Sequence, residues 1–207
     1  MKIHGNSEIE AIKILREISV PELEEILVIT PSSSSKSVTH HQLYTSAPTI
    51  RDRSMSTLLV QSCSKSKKQT DEPISAIDLY SGYFFKIIKK SIREETVNSD
   101  IDVCILSAKY GFVKSDEKIT TYDRQMNSER AMELGPTIRE DLQNYISRMG
   151  YNRIIINAGK EYRKAISGFG DDLSADIYEI TGDGLGLKGR SLKKFLRGDE
   201  SGIARVN

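Results

Sequence analysis

Apolar residues along this chain come in short runs that switch between two spacings. Thr57-Leu58-Leu59-Val60-Gln61, Ile101–Leu106, Arg153–Asn157 and Ala175–Ile180 are compact apolar runs, as expected of strands covered on both faces. Between them the spacing becomes helical. Phe84, Ile87, Ile88 and Ile92 form one stripe in Tyr80–Arg93, and a second helix is predicted from about Ser128 to Met149, irregular near Gly135-Pro136. Lys160–Ile166 and a short basic stretch, Ser191–Arg197, complete the helical set. Upstream, Ile9, Ile12, Leu15 and Ile18 follow a Ser7-x-x-Glu10 capping box, Pro21 ends that helix, and Ile26–Ile29 reads as a strand.

Strands alternating with helices imply parallel pairing through crossovers, so the predicted fold class is α/β: a mostly parallel sheet with helices on both faces. Two parts are expected. Residues 1–56 form an N-terminal helix–strand appendage ending in a polar, serine-rich loop, and residues 57–207 form the α/β domain. In such sheets ligands bind beyond the carboxyl ends of the strands, so the segments after strands carry the functional expectations.

Charge and composition narrow the classes. The 207 residues hold 30 Lys and Arg against 29 Asp and Glu, so any nucleic-acid contact must come from a local patch. No apolar run approaches the ~18–20 residues that span a bilayer, and the first residues lack a secretory pattern. A cytosolic location without a membrane partner is expected. The two cysteines and three histidines show no zinc-site spacing, so neither metal nor cofactor is expected.

Four post-strand segments gather chemistry. Ser62-Cys63-Ser64-Lys65-Ser66-Lys67-Lys68 sets a thiol among lysines, where a nucleophile or an anion contact is expected. The plainer alternative is a small buried cysteine in a solvated turn. Ser107-Ala108-Lys109-Tyr110-Gly111-Phe112-Val113, followed by Tyr122-Asp123, offers a hydroxyl, an ammonium, phenols and a carboxylate. Its alternative is a packed loop in which Lys109 pairs with Asp123. Asn157-Ala158-Gly159-Lys160 opens a helix whose amides can meet an anion. The loop Gly182-Asp183-Gly184-Leu185-Gly186 adds backbone freedom, and Lys188, Arg190, Lys193, Lys194 and Arg197 form a basic patch for phosphates or a solvated helix end.

Leu59–Lys67, Asp78-Leu79-Tyr80-Ser81, Ile105–Val113, Tyr122-Asp123 and Asn157–Tyr162, in this order, resemble an uncharacterised family related to the YaaA peroxide-stress proteins. The resemblance implies an α/β fold and a role near DNA or modified bases. Cys63 and Lys67 also match the Cys-x-x-x-Lys spacing of the archaeosine synthase core, which acts on 7-cyano-7-deazaguanine in transfer RNA. Ser62, Lys68 and Gln69 stand where that signature has Pro, Pro and Tyr.

The expected function is an enzyme of nucleic acid, DNA or tRNA, acting on a purine or 7-deazaguanine base. Cys63, Lys67, Lys109 and Asp123 would be catalytic, and Ser64, Ser107, Tyr110, Gly159, Lys160, Gly182, Gly184 and Gly186 would bind ligand. The alternatives are a non-catalytic nucleic-acid-binding module and a plain α/β domain within a larger complex.

Overall fold

The computed structural model describes residues 56–206. The helix expected over Ser7–Ile18, the strand Ile26–Ile29 and nearly all of the polar stretch after it lie outside the described residues.

The described chain is an α/β layer structure. Its elements in order are β1 (Thr57–Ser62), β2 (Ile74–Ser75), α1 (Ala76–Leu79), α2 (Tyr83–Arg93), β3 (Ile101–Ser107), β4 (Gly111–Lys114), β5 (Lys118–Ile119), α3 (Ser128–Met149), β6 (Arg153–Asn157), α4 (Lys160–Ala165), β7 (Asp176–Ile180), α5 (Gly184–Leu196) and β8 (Ile203–Arg205). The main sheet runs β4-β3-β1-β6-β7-β8, and β2 pairs with β5 in a small separate ladder. The four central strands are parallel, while β4 and β8 close the edges antiparallel. The sheet is therefore mixed, and mostly parallel.

Pleating explains the two layers. Leu58 and Val60 of β1 pack with Ile138, Leu142 and Ile146 of α3, whereas Leu59 packs with Ile88 of α2 and Leu192 of α5. All of these residues are buried, each stabilising the fold by roughly 1.5–3 kcal/mol. A third cluster joins Tyr80 and Phe85 to Ile105, Val113 and Ile119 below the small ladder.

Helix α3 extends over the whole of Ser128–Met149. Asn127 caps it by accepting from the Arg130 N–H at 2.8 Å, and Gly150 ends it with φ +70. Pro136 is tolerated because it lies on the exposed face, where water reaches the carbonyl one turn back.

Two expectations need correction. The glycine loop placed over Gly182–Gly186 is mostly helix: α5 begins at Gly184, seven residues before the expected Ser191. Gly189 is needed inside it, since a Cβ there would lie 2.4 Å from Tyr83 Cε1 of α2. Close packing of two helices thus overrides poor helix propensity. The Ser107–Val113 segment is a hairpin rather than a loop. Ser107 faces Gly111 in register, Gly111 takes φ +75, and Phe112 and Val113 continue as the edge strand β4.

Topology singles out one place. From β1 the chain moves to β3 on one side and later returns to β6 on the other, through helices on opposite faces. The carboxyl end of β1 is the switch point where open α/β sheets form a crevice. Register aligns Gln61 with Ile105 and Asn157, so β1, β3 and β6 end on one rim.

Candidate functional site

Cys63 is the first residue beyond β1, and its N–H donates to the Leu106 carbonyl at 2.8 Å, which ties it to the end of β3. The loop that follows is stitched down by Lys68 N–H to Leu79 O at 2.8 Å and by Ser81 N–H to Ser66 O at 3.0 Å. The Gly82 N–H donates to Ser64 Oγ at 3.2 Å, and a Cβ on Gly82 would sit 2.4 Å from Ser64 Cβ. A glycine is therefore required for the two segments to touch.

The thiol is partly exposed and lies among hydroxyls. Cys63 Sγ shares a hydrogen bond of 2.8 Å with Tyr162 Oη and accepts one of 3.5 Å from Tyr122 Oη. Tyr122 Oη in turn lies 2.8 Å from Tyr80 Oη and 2.8 Å from Ser107 Oγ. Ser107 is fully buried and accepts from the Lys109 and Tyr110 N–H groups at 3.2 and 3.1 Å, which shapes the hairpin turn. Two ammonium groups flank the cluster. Lys67 Nζ is 4.2 Å from the Tyr122 ring centre, and Lys109 Nζ is 4.7 Å from that of Tyr110 and 5.9 Å from that of Tyr122. Arg130 holds the hairpin from outside by donating to the Ala108 and Lys109 carbonyls at 2.9 and 3.1 Å.

Electrostatics fix the protonation of the phenols. Burial, followed by the charge a Cys63 thiolate would carry, pushes Tyr80, Tyr122 and Tyr162 upward from the usual phenol range. They remain neutral donors near pH 7. Cys104, in the middle of β3, is fully buried, and desolvation pushes its thiol up.

Of the expected residues, Cys63, Lys67, Ser107 and Lys109 come together. Tyr110 joins from the side, its hydroxyl bonded to Thr120 Oγ1 at 2.9 Å. Ser64 turns its hydroxyl to the Ser66 carbonyl at 2.7 Å and serves the loop. Asp123 is exposed in an adjoining cleft of about 630 Å³ that also presents Lys109, Tyr122, Arg124 and Arg130. It forms neither an ion pair with Lys109 nor a hydrogen bond to the thiol cluster.

Helix α4 has only six residues, and Gly159 and Lys160 are exposed at its start. What α4 contributes is Tyr162. Gly182, Gly184 and Gly186 are exposed around the start of α5. The basic patch divides: Arg190, Lys193 and Arg197 face a groove against α2, Lys194 pairs with Asp199 at 3.3 Å, and the half-buried Lys188 points its amine to the Ala158 carbonyl at 3.5 Å.

Tyr80 and Tyr162 were not among the expected site residues, and Tyr122 was named only as a phenol of its loop, with no role. A signal existed, because Tyr80, Tyr122 and Tyr162 each belong to one of the separate segments that carry the family resemblance.

Among the described residues no helix is long and apolar enough to cross a membrane, and no cluster of three His, Cys, Asp or Glu is poised to hold a metal ion. No curated protein matches the chain. The crystal structure of AF0587, a protein of unknown function, is similar at 12% identity and a TM-score of 0.45, over 74% of this chain and 47% of that one. The chain thus spans about half of that protein's length. The sequence profile of a family of unknown function, DUF6884, matches residues 58–192, and the chain belongs to that family.

Proposed function

We propose that the protein is an enzyme whose Cys63 thiol attacks a purine or 7-deazaguanine base, taken as a free base or within tRNA or DNA. One observation carries the reading: a partly exposed thiol at the switch point of the sheet, hydrogen-bonded to Tyr162 and Tyr122, with the Lys67 and Lys109 ammonium groups over the Tyr122 ring. Nucleophile and proton-relaying groups within hydrogen-bond reach are the geometry that covalent catalysis requires. The Cys63…Lys67 spacing shared with the archaeosine synthase core supports a nitrile-bearing base as the electrophile.

The step balances as follows. Sulfur forms a bond to the nitrile carbon, one π bond of the C≡N opens, and the nitrile nitrogen takes up the proton that the thiol gives up through the phenols. The product is a covalent thioimidate. Lys67 and Lys109 place positive charge beside the nitrogen as its negative charge develops. The proton work expected of Asp123 falls to Tyr122 and Tyr162, because these touch the sulfur.

Incubating the full chain with 7-cyano-7-deazaguanine and recording its intact mass tests this. Gain of one ligand mass is expected, lost in Cys63→Ala and retained in Cys104→Ala. Absence of an adduct, together with unprotected alkylation of Cys63, would leave the non-catalytic nucleic-acid-binding module as the reading.

A further inference from the structure

A groove of about 520 Å³ runs between α2 and α5 on the face away from α3. Its walls present Lys86 and Lys90 from α2, Arg190 and Lys193 from α5, and Arg197 at the C-cap of α5. These positions recur at three- and four-residue intervals, so each set lines one face of its helix. Glu94 is the single carboxylate of the groove, shared by Lys90 at 3.6 Å and Arg197 at 3.5 Å. Lys86, Arg190 and Lys193 form no ion pair among the described residues. On a chain whose net charge is +1, this is a concentrated positive strip.

An aromatic ring stands at one end. Tyr83 is 47% exposed and lies over Gly189, whose missing side chain lets the ring settle against α5. Tyr83 follows Gly82, the residue bonded to Ser64 beside Cys63. The Tyr83 end of the strip is therefore the end next to the loop that carries the thiol.

We infer that this groove holds a single-stranded nucleic-acid segment, phosphates along the cations of α2 and α5 and one base stacked on Tyr83, and leads it to Cys63. A charged track with an aromatic platform is how single strands are held without reading sequence. The inference rests on the reading that Cys63 acts on a base and names its substrate as a polynucleotide.

The test is a fluorescence-anisotropy titration of a labelled oligothymidylate with the full chain at several salt concentrations. Five phosphate contacts at about 0.7 each predict a log–log salt slope near ~3.5. Lys86→Glu with Lys193→Glu should weaken binding by roughly tenfold or more at low salt and reduce the slope by about 1.4. Lys118→Glu, an equal charge change per site on the small ladder, should leave affinity unchanged. Tyr83→Ala should cost about fivefold or more. Melting curves identify any variant that fails to fold, and for that one Lys193→Gln replaces the reversal. Lack of binding, equal losses in the Lys118 and groove variants, tighter binding of duplex than of single strand, or an unaffected Tyr83→Ala would each overturn the inference. Cys63 alkylation is read separately on the same protein. Failure of the groove with a reactive Cys63 would therefore sink only this inference, and binding with an inert Cys63 only the proposed chemistry.

Discussion

The Cys63 thiol, bonded to Tyr162 at 2.8 Å and Tyr122 at 3.5 Å, joins a chain of hydroxyls that continues to Tyr80 and Ser107. Because burial keeps those phenols protonated at neutral pH, they donate to the sulfur as negative charge builds on it. A hydrogen bond to a charged group contributes about 1.5–3 kcal/mol, roughly a factor of ten or more in rate. Tyr162→Phe should accordingly slow iodoacetamide alkylation of Cys63 about tenfold without changing Cys104, as read by peptide mass spectrometry. An unchanged rate would show that Tyr162 only packs against the sulfur. Cys63, Lys67, Ser107 and Lys109 were legible in the sequence because residues directly after strands must lie on the ligand rim. The meeting of the tyrosines was not, since each comes from a different element: the bridge to Lys67 just after α1, an extended segment after the small ladder, and the third position of α4. Only the tertiary fold makes them neighbours.

The contact between the Cys63 loop and the start of α2 depends on Gly82. Adding a methyl group there places it 2.4 Å from Ser64 Cβ, so the loop must shift. Overpacking of this kind costs typically 1–3 kcal/mol, so Gly82→Ala should lower Tm by about 2–10 °C. It should also break the Ser64 bond and alter Cys63 alkylation. A melting curve identical to wild type would contradict the close approach. The central strands and α3 were readable because apolar runs and caps act locally. Helix α5 and strand β4 were not: three glycines in the first six residues of α5 argue against a helix that packing against Tyr83 nevertheless enforces, and β4 is four residues long within a hairpin.

Across the molecule, the buried phenols link stability to alkaline pH. Free tyrosine ionises near pH ~10, and Tyr80, Tyr122, Tyr162 and Tyr151 are all pushed higher, by burial first. Once pH passes about 10, unfolded chains lose these protons while folded ones keep them, so the unfolded state binds fewer. The contribution to stability is complete below about pH 10 and declines above it. Tm should be flat from about pH 8 to 9.5 and then drop, more gently in Tyr122→Phe. A flat Tm to about pH 11 would mean that these phenols ionise freely in the fold.

The most direct measurement compares the two thiols in the native full chain. Iodoacetamide at neutral pH, sampled over time and resolved by peptide mass spectrometry, should modify Cys63 far faster than Cys104, which is buried in mid-strand where desolvation keeps its thiol protonated. Denaturant should bring the two rates together. Equal native rates, or a Cys63 as inert as Cys104, would contradict a reactive thiol at the carboxyl end of β1.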